Sequence, residues 1–155
     1  MSTKHKRVAV ITGGGSGIGL AIAEKFVADG IHTVIVGRDP KKLAAAKEKF
    51  GSLCCTKACD ISELSSIPGL VQSVIAENGQ IDILVNNAGI NMKKDFTEVT
   101  DEEFQRIITT NVCSVFAMSR EVVKQMLKQG HGSIINISSM AAQYGLARVI
   151  GYSAS

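Results

Sequence analysis

The sequence has no apolar run long enough to cross a membrane. After the basic start MSTKHKR, only the short apolar run VAVI occurs before the glycines begin. A signal peptide needs a longer apolar segment, and a membrane helix needs about 20 apolar residues. Tryptophan, internal repeats and low-complexity segments are also missing. These absences argue against membrane insertion and secretion and favour a cytoplasmic protein.

The sequence also has little net charge and no paired cysteine motif. The formal net charge is +3, and the basic residues are spread along the chain, so no nucleic-acid surface is indicated. Four cysteines occur without C-x-x-C spacing, and three histidines are scattered. We therefore predict no metal site and no disulfide, and we expect buried, reduced thiols.

Short apolar runs alternate with helical stretches over the 155 residues, 45% of which are hydrophobic. The strands are apolar on both faces, as in a sheet covered by helices on both sides. The alternation predicts one α/β domain with a doubly wound parallel sheet of order 3-2-1-4-5 and a ligand crevice between strands 1 and 4. Predicted strands are 7–11, 32–37, 53–58, 81–86 and 132–138, and predicted helices are 17–29, 40–50, 65–77 and 101–129.

A glycine-rich loop, TGGGSGIG, follows the first predicted strand and precedes a helix. Gly13, Gly17 and Gly19 have the spacing G-x-x-x-G-x-G, which differs from the common G-x-G-x-x-G. Glycines there permit a tight turn and a close approach of the backbone to a diphosphate at the helix N-terminus. A nucleotide site is the favoured interpretation, and a simple strand-to-helix turn is the alternative.

The end of strand 2 bears on the choice of cofactor. Gly37 stands where NAD-binding proteins carry a carboxylate, and Arg38 and Asp39 follow it. A guanidinium suits a 2′-phosphate, which favours NADP(H). NAD(H) stays open because Asp39 is within reach of a ribose. Alternatively, Arg38 faces solvent and Asp39 caps the helix that begins near Pro40.

Five motifs occur in an order that resembles the short-chain dehydrogenase/reductase family. They are TGGGSGIG, CDIS, NNAG, NISS and the final YSAS, with Asn111 between the third and fourth. The resemblance covers essentially the whole chain. It implies a Rossmann-type domain and an NAD(P)-dependent oxidoreductase that transfers a hydride between nicotinamide and a secondary alcohol or ketone.

The resemblance also implies three catalytic residues. Tyr152 is expected to act as general acid or base, and Ser139 to polarise the substrate carbonyl. We choose Ser139 over Ser138 because it lies 13 residues before Tyr152, and because strand alternation places the two serines on opposite faces. Asn111 is expected to hold a water in a proton relay, although a structural role for its amide is an alternative.

The resemblance assigns further residues to the cofactor. Asp60 would receive the adenine amino group beside Ile61. The segment 87–89, called the NAG segment below, would line the cofactor at the point where the strand order of the sheet reverses, and it would stabilise the central strand. The full set expected to bind the cofactor is Gly13, Gly15, Ser16, Gly17, Ile18, Gly19, Arg38, Asp60, Ile61, Asn87, Ala88 and Gly89.

The sequence departs from the family pattern at its end, because the lysine of Y-x-x-x-K belongs directly after Ser155. Bringing a tyrosine from its ordinary pKa near 10 to neutrality takes about 4 kcal/mol, which a cation about 4 Å away supplies. Arg148 would be a poor substitute. We therefore expect residues 1–155 to be an incomplete N-terminal part of a longer reductase. The alternative is a non-catalytic dinucleotide-binding fragment or interaction module.

The substrate is left open at this point. The stretches NNAGINMKKDFTEVT and MLKQGHGSIINISSMAA resemble 3-oxoacyl-carrier-protein reductases and gluconate-type dehydrogenases. The expected partner is a small carbonyl or alcohol compound, with no nucleic acid or membrane. A homodimer or homotetramer is expected for the full-length protein, since helix 101–129 pairs with its copy in family dimers.

Overall fold

The computed structural model describes residues 6–155, which form a five-stranded parallel sheet flanked by helices. The strand order is β3-β2-β1-β4-β5, so the predicted fold and order are confirmed. Residues 1–5, which include His5 and most of the basic start, lie outside the described residues. The elements are β1 (Val8–Thr12), α1 (Gly17–Ala28), β2 (His32–Gly37), α2 (Pro40–Phe50), β3 (Cys54–Ala58), α3 (Ile67–Asn78), β4 (Ile83–Asn86), α4 (Asp101–Ile108), α5 (Ser114–Gln129), β5 (Ser133–Asn136) and α6 (Ile150–Ser153).

The core consists of two apolar layers, one on each face of the sheet. On one face, strand residues such as Val10 and Leu84 pack with residues of α3 and α5, including Val74 and Val122. On the other face, Ile11, Ile35 and Val85 pack with residues of α1 and α2. Each fully buried aliphatic side chain contributes about 1.5–3 kcal/mol. This two-sided burial explains why the strands carry apolar residues at consecutive positions.

The predicted long helix 101–129 is wrong in one respect, because a π-helical turn at Thr109–Cys113 divides it into α4 and α5. A capping box begins α4: the Thr100 hydroxyl accepts from the Glu103 amide, and the Glu103 carboxylate accepts from the Thr100 amide. Gly130 ends α5 with φ 75°. The apolar periodicity continues through the π turn, so the sequence pattern does not reveal it.

β5 occupies an edge of the sheet, and it is shorter than predicted. It spans four residues and pairs in parallel with β4, with Asn86 opposite Asn136. Ile135 on this strand is 41% exposed. Within residues 6–155, no helix combines the length and the apolar character that a bilayer span requires.

The cysteines are only partly as expected. All four lie among the described residues and are free thiols. Cys54 is buried, and burial raises its pKa to about 11. Cys55, Cys59 and Cys113 are only half-buried, so the expectation of buried thiols was wrong for these three. Cys55 and Cys59 lie in β3 and directly after it, and β3 is an edge strand with a partly open face.

Candidate active site

Two clefts lie along the carboxyl ends of the strands and meet at the segment after β4. The first has a volume of ≈ 410 Å³ and is lined by the glycine loop and the ends of β2 and β3. The second has a volume of ≈ 820 Å³ and is lined by the ends of β4 and β5, by the π turn and by α6. Residues 87–90 line both clefts. The crevice therefore lies beside β1 and β4, where the sheet order predicts it.

The glycine loop is fastened to the NAG segment by side-chain hydrogen bonds. The Thr12 hydroxyl accepts from the backbone amides of Asn87 and Ala88, at 3.0 and 3.1 Å. The Asn87 side-chain amide donates to the carbonyls of Thr12 and Gly13, at 3.0 and 3.3 Å. A Cβ on Gly19 would lie 2.5 Å from Asn87 Nδ2 and 2.6 Å from the Gly13 carbonyl oxygen. Glycine at position 19 is thus required by packing.

The first turn of α1 is left open for an anion. Its N-cap residue, Ser16, makes no side-chain capping bond, and the turn holds no acidic residue. The helices α2 and α4, by contrast, are capped by side chains. Ser16, Gly17 and Ile18 are exposed, and Gly17 has φ 54°. The free backbone N–H groups of such a turn bind phosphate groups.

At the ends of β2 and β3, a cation and a carboxylate meet. Arg38 Nη1 lies 3.3 Å from Asp60 Oδ2, and both residues line the first cleft. The other oxygen, Asp60 Oδ1, accepts from the Ser62 amide at 3.0 Å and the Ser62 hydroxyl at 2.7 Å. Burial by itself raises the pKa of Asp60, but these hydrogen bonds and Arg38 outweigh it and lower the pKa. Asp60 is therefore anionic at neutral pH.

The neighbouring carboxylate, Asp39, accepts hydrogen bonds from the first turn of α2. Its Oδ1 accepts from the backbone amides of Lys41 and Lys42, at 2.9 and 3.3 Å. The capping role that the sequence left open for Asp39 is therefore the one observed. Arg38 is 64% exposed and remains beside the cleft as a cation.

The second cleft brings together Ser139, Tyr152 and Asn111, which the sequence places far apart. Tyr152 lies on α6 and is half-buried, and the Ser139 hydroxyl accepts from the Ala141 amide at 3.2 Å. Ser138 lines the same cleft, so the cleft does not separate the two serines, and the choice of Ser139 stays a prediction. β5 ends at Asn136, and strand alternation does not extend to 138–139.

Asn111 lies in the π turn and binds the loop after β4. Its Oδ1 accepts from the Ile90 amide at 2.9 Å, and its Nδ2 donates to the Ile90 carbonyl at 2.9 Å. Nδ2 also donates to the Ser155 hydroxyl at 2.9 Å. The structural role that the sequence left open for this amide is thus observed, and its role in holding a water stays a prediction.

Replacing Asn111 with alanine is expected to lower the free energy of unfolding by about 1–3 kcal/mol, because both Ile90 backbone groups lose their partner. Urea unfolding measures this change. The matched control is Asn78→Ala, which removes one amide bond within α3, to the Val74 carbonyl at 2.9 Å. An equal loss of stability in both variants would contradict the tie to Ile90.

Most residues predicted to bind the cofactor line the first cleft, and three do not. Ile18 is 63% exposed and lines the second cleft. Gly17 and Gly19 are outside both sets of lining residues. The residues of the prediction that line the first cleft are Gly13, Gly15, Ser16, Arg38, Asp60, Ile61, Asn87, Ala88 and Gly89.

Two residues of the site were missed by sequence reasoning. Thr12 joins the two loops, and the available signal was a polar residue at the end of an apolar strand. Lys42 lines the first cleft from the first turn of α2 and adds a second cation beside Arg38. Arg148, considered as a substitute cation for Tyr152, instead pairs with Asp95 at 2.8 Å.

The sheet order, the glycine loop and the cleft at the switch point define an α/β protein of dinucleotide-binding architecture. Residues 7–155 match the family model described as short chain dehydrogenase, and the chain belongs to this family.

Curated relatives support this assignment. The chain is 39% identical to the granaticin polyketide synthase putative ketoacyl reductase 1 of Streptomyces violaceoruber, over 99% of this chain and 58% of that one. It is 38% identical to the 2-dehydro-3-deoxy-D-gluconate 5-dehydrogenase of Dickeya dadantii, over 96% of this chain and 60% of the relative. The chain thus spans about three fifths of the length of these relatives.

A solved structure of an actinorhodin polyketide ketoreductase variant with NADPH superimposes with a TM-score of 0.93 at 32% identity. The match covers 99% of this chain and 61% of that one.

Proposed function

We propose that the protein is an NADP(H)-dependent oxidoreductase that transfers a hydride between nicotinamide and a secondary alcohol or ketone. One observation carries the proposal. Ser139 and Tyr152 line the second cleft, which shares residues 87–90 with the first cleft, lined by the glycine loop and Arg38. Residues 6–155 would form the cofactor-binding part of this enzyme and would also contribute Ser139 and Tyr152 to its active site.

The first cleft fits a 2′-phosphorylated dinucleotide. The uncapped first turn of α1 offers backbone N–H groups to a diphosphate, and Arg38 with Lys42 offers positive charge to the 2′-phosphate. Asp60 and Ile61 would hold the adenine. Asp39 is occupied in capping α2, which leaves it less suited to a ribose diol and supports NADP(H) over NAD(H).

The bound cofactor would supply or accept the hydride, and the residues of this chain would handle the proton. In reduction, the Tyr152 hydroxyl donates its proton to the carbonyl oxygen as that oxygen becomes a hydroxyl. In oxidation, Tyr152 accepts the proton from the alcohol. The Ser139 hydroxyl donates a hydrogen bond to the same oxygen and stabilises its developing charge.

The lining of the second cleft supports an uncharged reacting group. Among the described residues that line it, none carries a charged side chain at neutral pH, and Val115, Phe116 and Ile137 present apolar surface. Asn91, Asn136 and Ser119 add neutral polar groups. We infer that the alcohol or ketone carbon lies in an uncharged portion of the substrate.

The proposal includes a cytoplasmic location and a homo-oligomer. Apolar side chains on the π turn and α5 remain open to solvent in the single chain, including Val112, Phe116 at 64% exposure and Leu127 at 77%. Such a surface suits association with a second copy.

The test of the cofactor assignment is Arg38→Ala. We expect the dissociation constant of NADPH to rise about 10- to 100-fold, since charge-assisted hydrogen bonds are worth about 1.5–3 kcal/mol. The constant for NADH should change little, because NADH lacks the 2′-phosphate. Titration followed by NADPH and NADH fluorescence measures both.

The matched control is Lys41→Ala, which removes an exposed cation of α2 that is outside the set of residues lining the first cleft. Equal weakening of NADPH and NADH binding by Arg38→Ala would contradict the 2′-phosphate assignment. Absence of NADPH and NADH binding by the parent protein would overturn the proposed function.

A further inference from the structure

Arg148 has a backbone conformation that L residues seldom adopt. Its φ is 67°, and it is the one residue other than glycine with positive φ among residues 6–155. A non-glycine residue persists in this region when the surrounding contacts hold it there, and such residues concentrate at functional sites. Arg148 precedes α6, the turn that carries Tyr152, by two residues.

The contacts that hold Arg148 come from the loop after β4. The Lys94 amide donates to the Arg148 carbonyl at 2.7 Å. Arg148 Nε donates to Asp95 Oδ1 at 2.8 Å. Lys94 is itself fixed, because its Nζ lies 2.8 Å from Glu103 Oε2, in the first turn of α4. The backbone and the side chain of Arg148 are thus both bound to consecutive residues of one loop.

The Tyr152 turn has few other supports on its N-terminal side. Residues 142–148 are all exposed, so burial does not fix the path of this segment. From Val149 onward the chain packs on α4: a Cβ on Gly151 would lie 2.8 Å from Ile107 Cδ1 and 3.5 Å from Phe104 Cδ2. Arg148 therefore stands at the boundary between an exposed segment and a tightly packed turn.

The C-terminal side of the turn is tied to the same loop. Asn111 Nδ2 donates to the Ser155 hydroxyl, and the same amide binds both backbone groups of Ile90. The loop 90–95 is consequently attached to the Tyr152 turn at two points. Ile90 lines both clefts, so this loop connects the cofactor side to Tyr152.

We propose that Arg148 is a positioning residue for Tyr152: its left-handed backbone and its ion pair with Asp95 fix the turn that presents the phenol to the second cleft. The importance of that position rests on the proposed function. Arg148 does not need to touch substrate or cofactor for this role. Loss of the ion pair lets the N-terminal end of the turn move, while the packing of Gly151 on α4 and the Asn111–Ser155 hydrogen bond remain.

The chain offers a direct readout, because it contains no tryptophan and its two tyrosines are Tyr144 and Tyr152. In a Tyr144→Phe background, the emission of the 155-residue chain comes from Tyr152. We expect Arg148→Ala and Asp95→Asn each to raise the acrylamide quenching constant of this emission by up to about two- to threefold, because loss of an exposed ion pair multiplies the population of the open turn by about that factor. The exchanged pair, Arg148→Asp with Asp95→Arg, should restore the parent value.

The matched control is Lys25→Ala, which removes an exposed ion pair with Asp29 on α1, at 3.5 Å. It should leave the quenching constant unchanged. The proposal is overturned if both single variants keep the parent constant, if the exchanged pair fails to restore it, or if Lys25→Ala raises it equally. If Arg148→Ala does not fold, Asp95→Asn tests the proposal by itself, because it removes the ion pair and keeps Arg148.

The same variants separate this proposal from the proposed function. Arg148 is outside the residues that line the first cleft, so Arg148→Ala should leave the dissociation constant of NADPH unchanged. A parent protein that does not bind NADPH refutes the proposed function, while the quenching result still decides whether Arg148 positions Tyr152.

Discussion

Replacing Tyr152 with phenylalanine is expected to lower the rate of hydride transfer about 10²- to 10⁴-fold, the usual contribution of a positioned general acid or base. Tyr152 is the one ionisable side chain among the described residues that line the second cleft. Phenylalanine keeps the ring and removes the proton donor, so NADPH binding should persist. The measurement is the rate of NADPH oxidation with a panel of neutral ketones, together with an NADPH titration.

The control for this prediction is Tyr144→Phe, the same change at the other tyrosine of the chain. Tyr144 is 64% exposed and is not among the residues that line either cleft, so its variant should retain full activity. Equal rates for Tyr152→Phe and the parent protein would show that the phenol has no part in proton transfer. Comparison of Tyr152→Phe with Tyr144→Phe distinguishes a loss of proton transfer from a general effect of the substitution on the fold.

Replacing Gly19 with alanine is expected to lower the free energy of unfolding by up to about 2 kcal/mol and to abolish NADPH binding. Alanine is a better helix former than glycine by about 1 kcal/mol, which opposes the loss. Two contacts near 2.5 Å, one of them with a backbone carbonyl, cost more, because overpacking in a tight site costs about 1–3 kcal/mol and occasionally more. Relief of the clash would push Asn87 away from the glycine loop. Urea unfolding and NADPH titration measure the two effects.

Gly69→Ala supplies the opposite case. Gly69 lies within α3, and a Cβ there would meet no atom within 4 Å. The same substitution should therefore raise the free energy of unfolding by about 0.5–1 kcal/mol through helix propensity alone. A loss of stability in both variants, or in neither, would contradict the packing role of Gly19.

The fold was predictable because its signals are local and repeated. Apolar runs such as 32–37 are buried on both faces. Because these strands alternate with helices, only a few sheet topologies are compatible with the sequence. The glycine loop and the NAG segment could be located for a similar reason, since each follows a strand at the edge where parallel strands end. The predicted strands differ from the observed ones by one or two residues at most ends.

The parts that could not be predicted depend on contacts between distant residues. The π turn around Asn111 leaves the apolar periodicity intact, and its partner, Ile90, lies 21 positions away. The early end of β5 removes the strand alternation that was one of the two reasons for choosing Ser139 over Ser138. The pairing of Arg148 with Asp95 needed the loop after β4 to be in place, which no local pattern indicates.

The hydrogen bonds between Thr12 and Asn87 join positions 75 residues apart. Closing a loop of this length costs more conformational entropy than bringing together β1, α1 and β2, which are consecutive in the chain. The junction of the two clefts therefore comes into being only when β4 has docked beside β1. The proposed dinucleotide site would therefore be complete only after β4 has docked, and a partially folded chain that contains the glycine loop alone would lack the half that Asn87 and Ala88 supply.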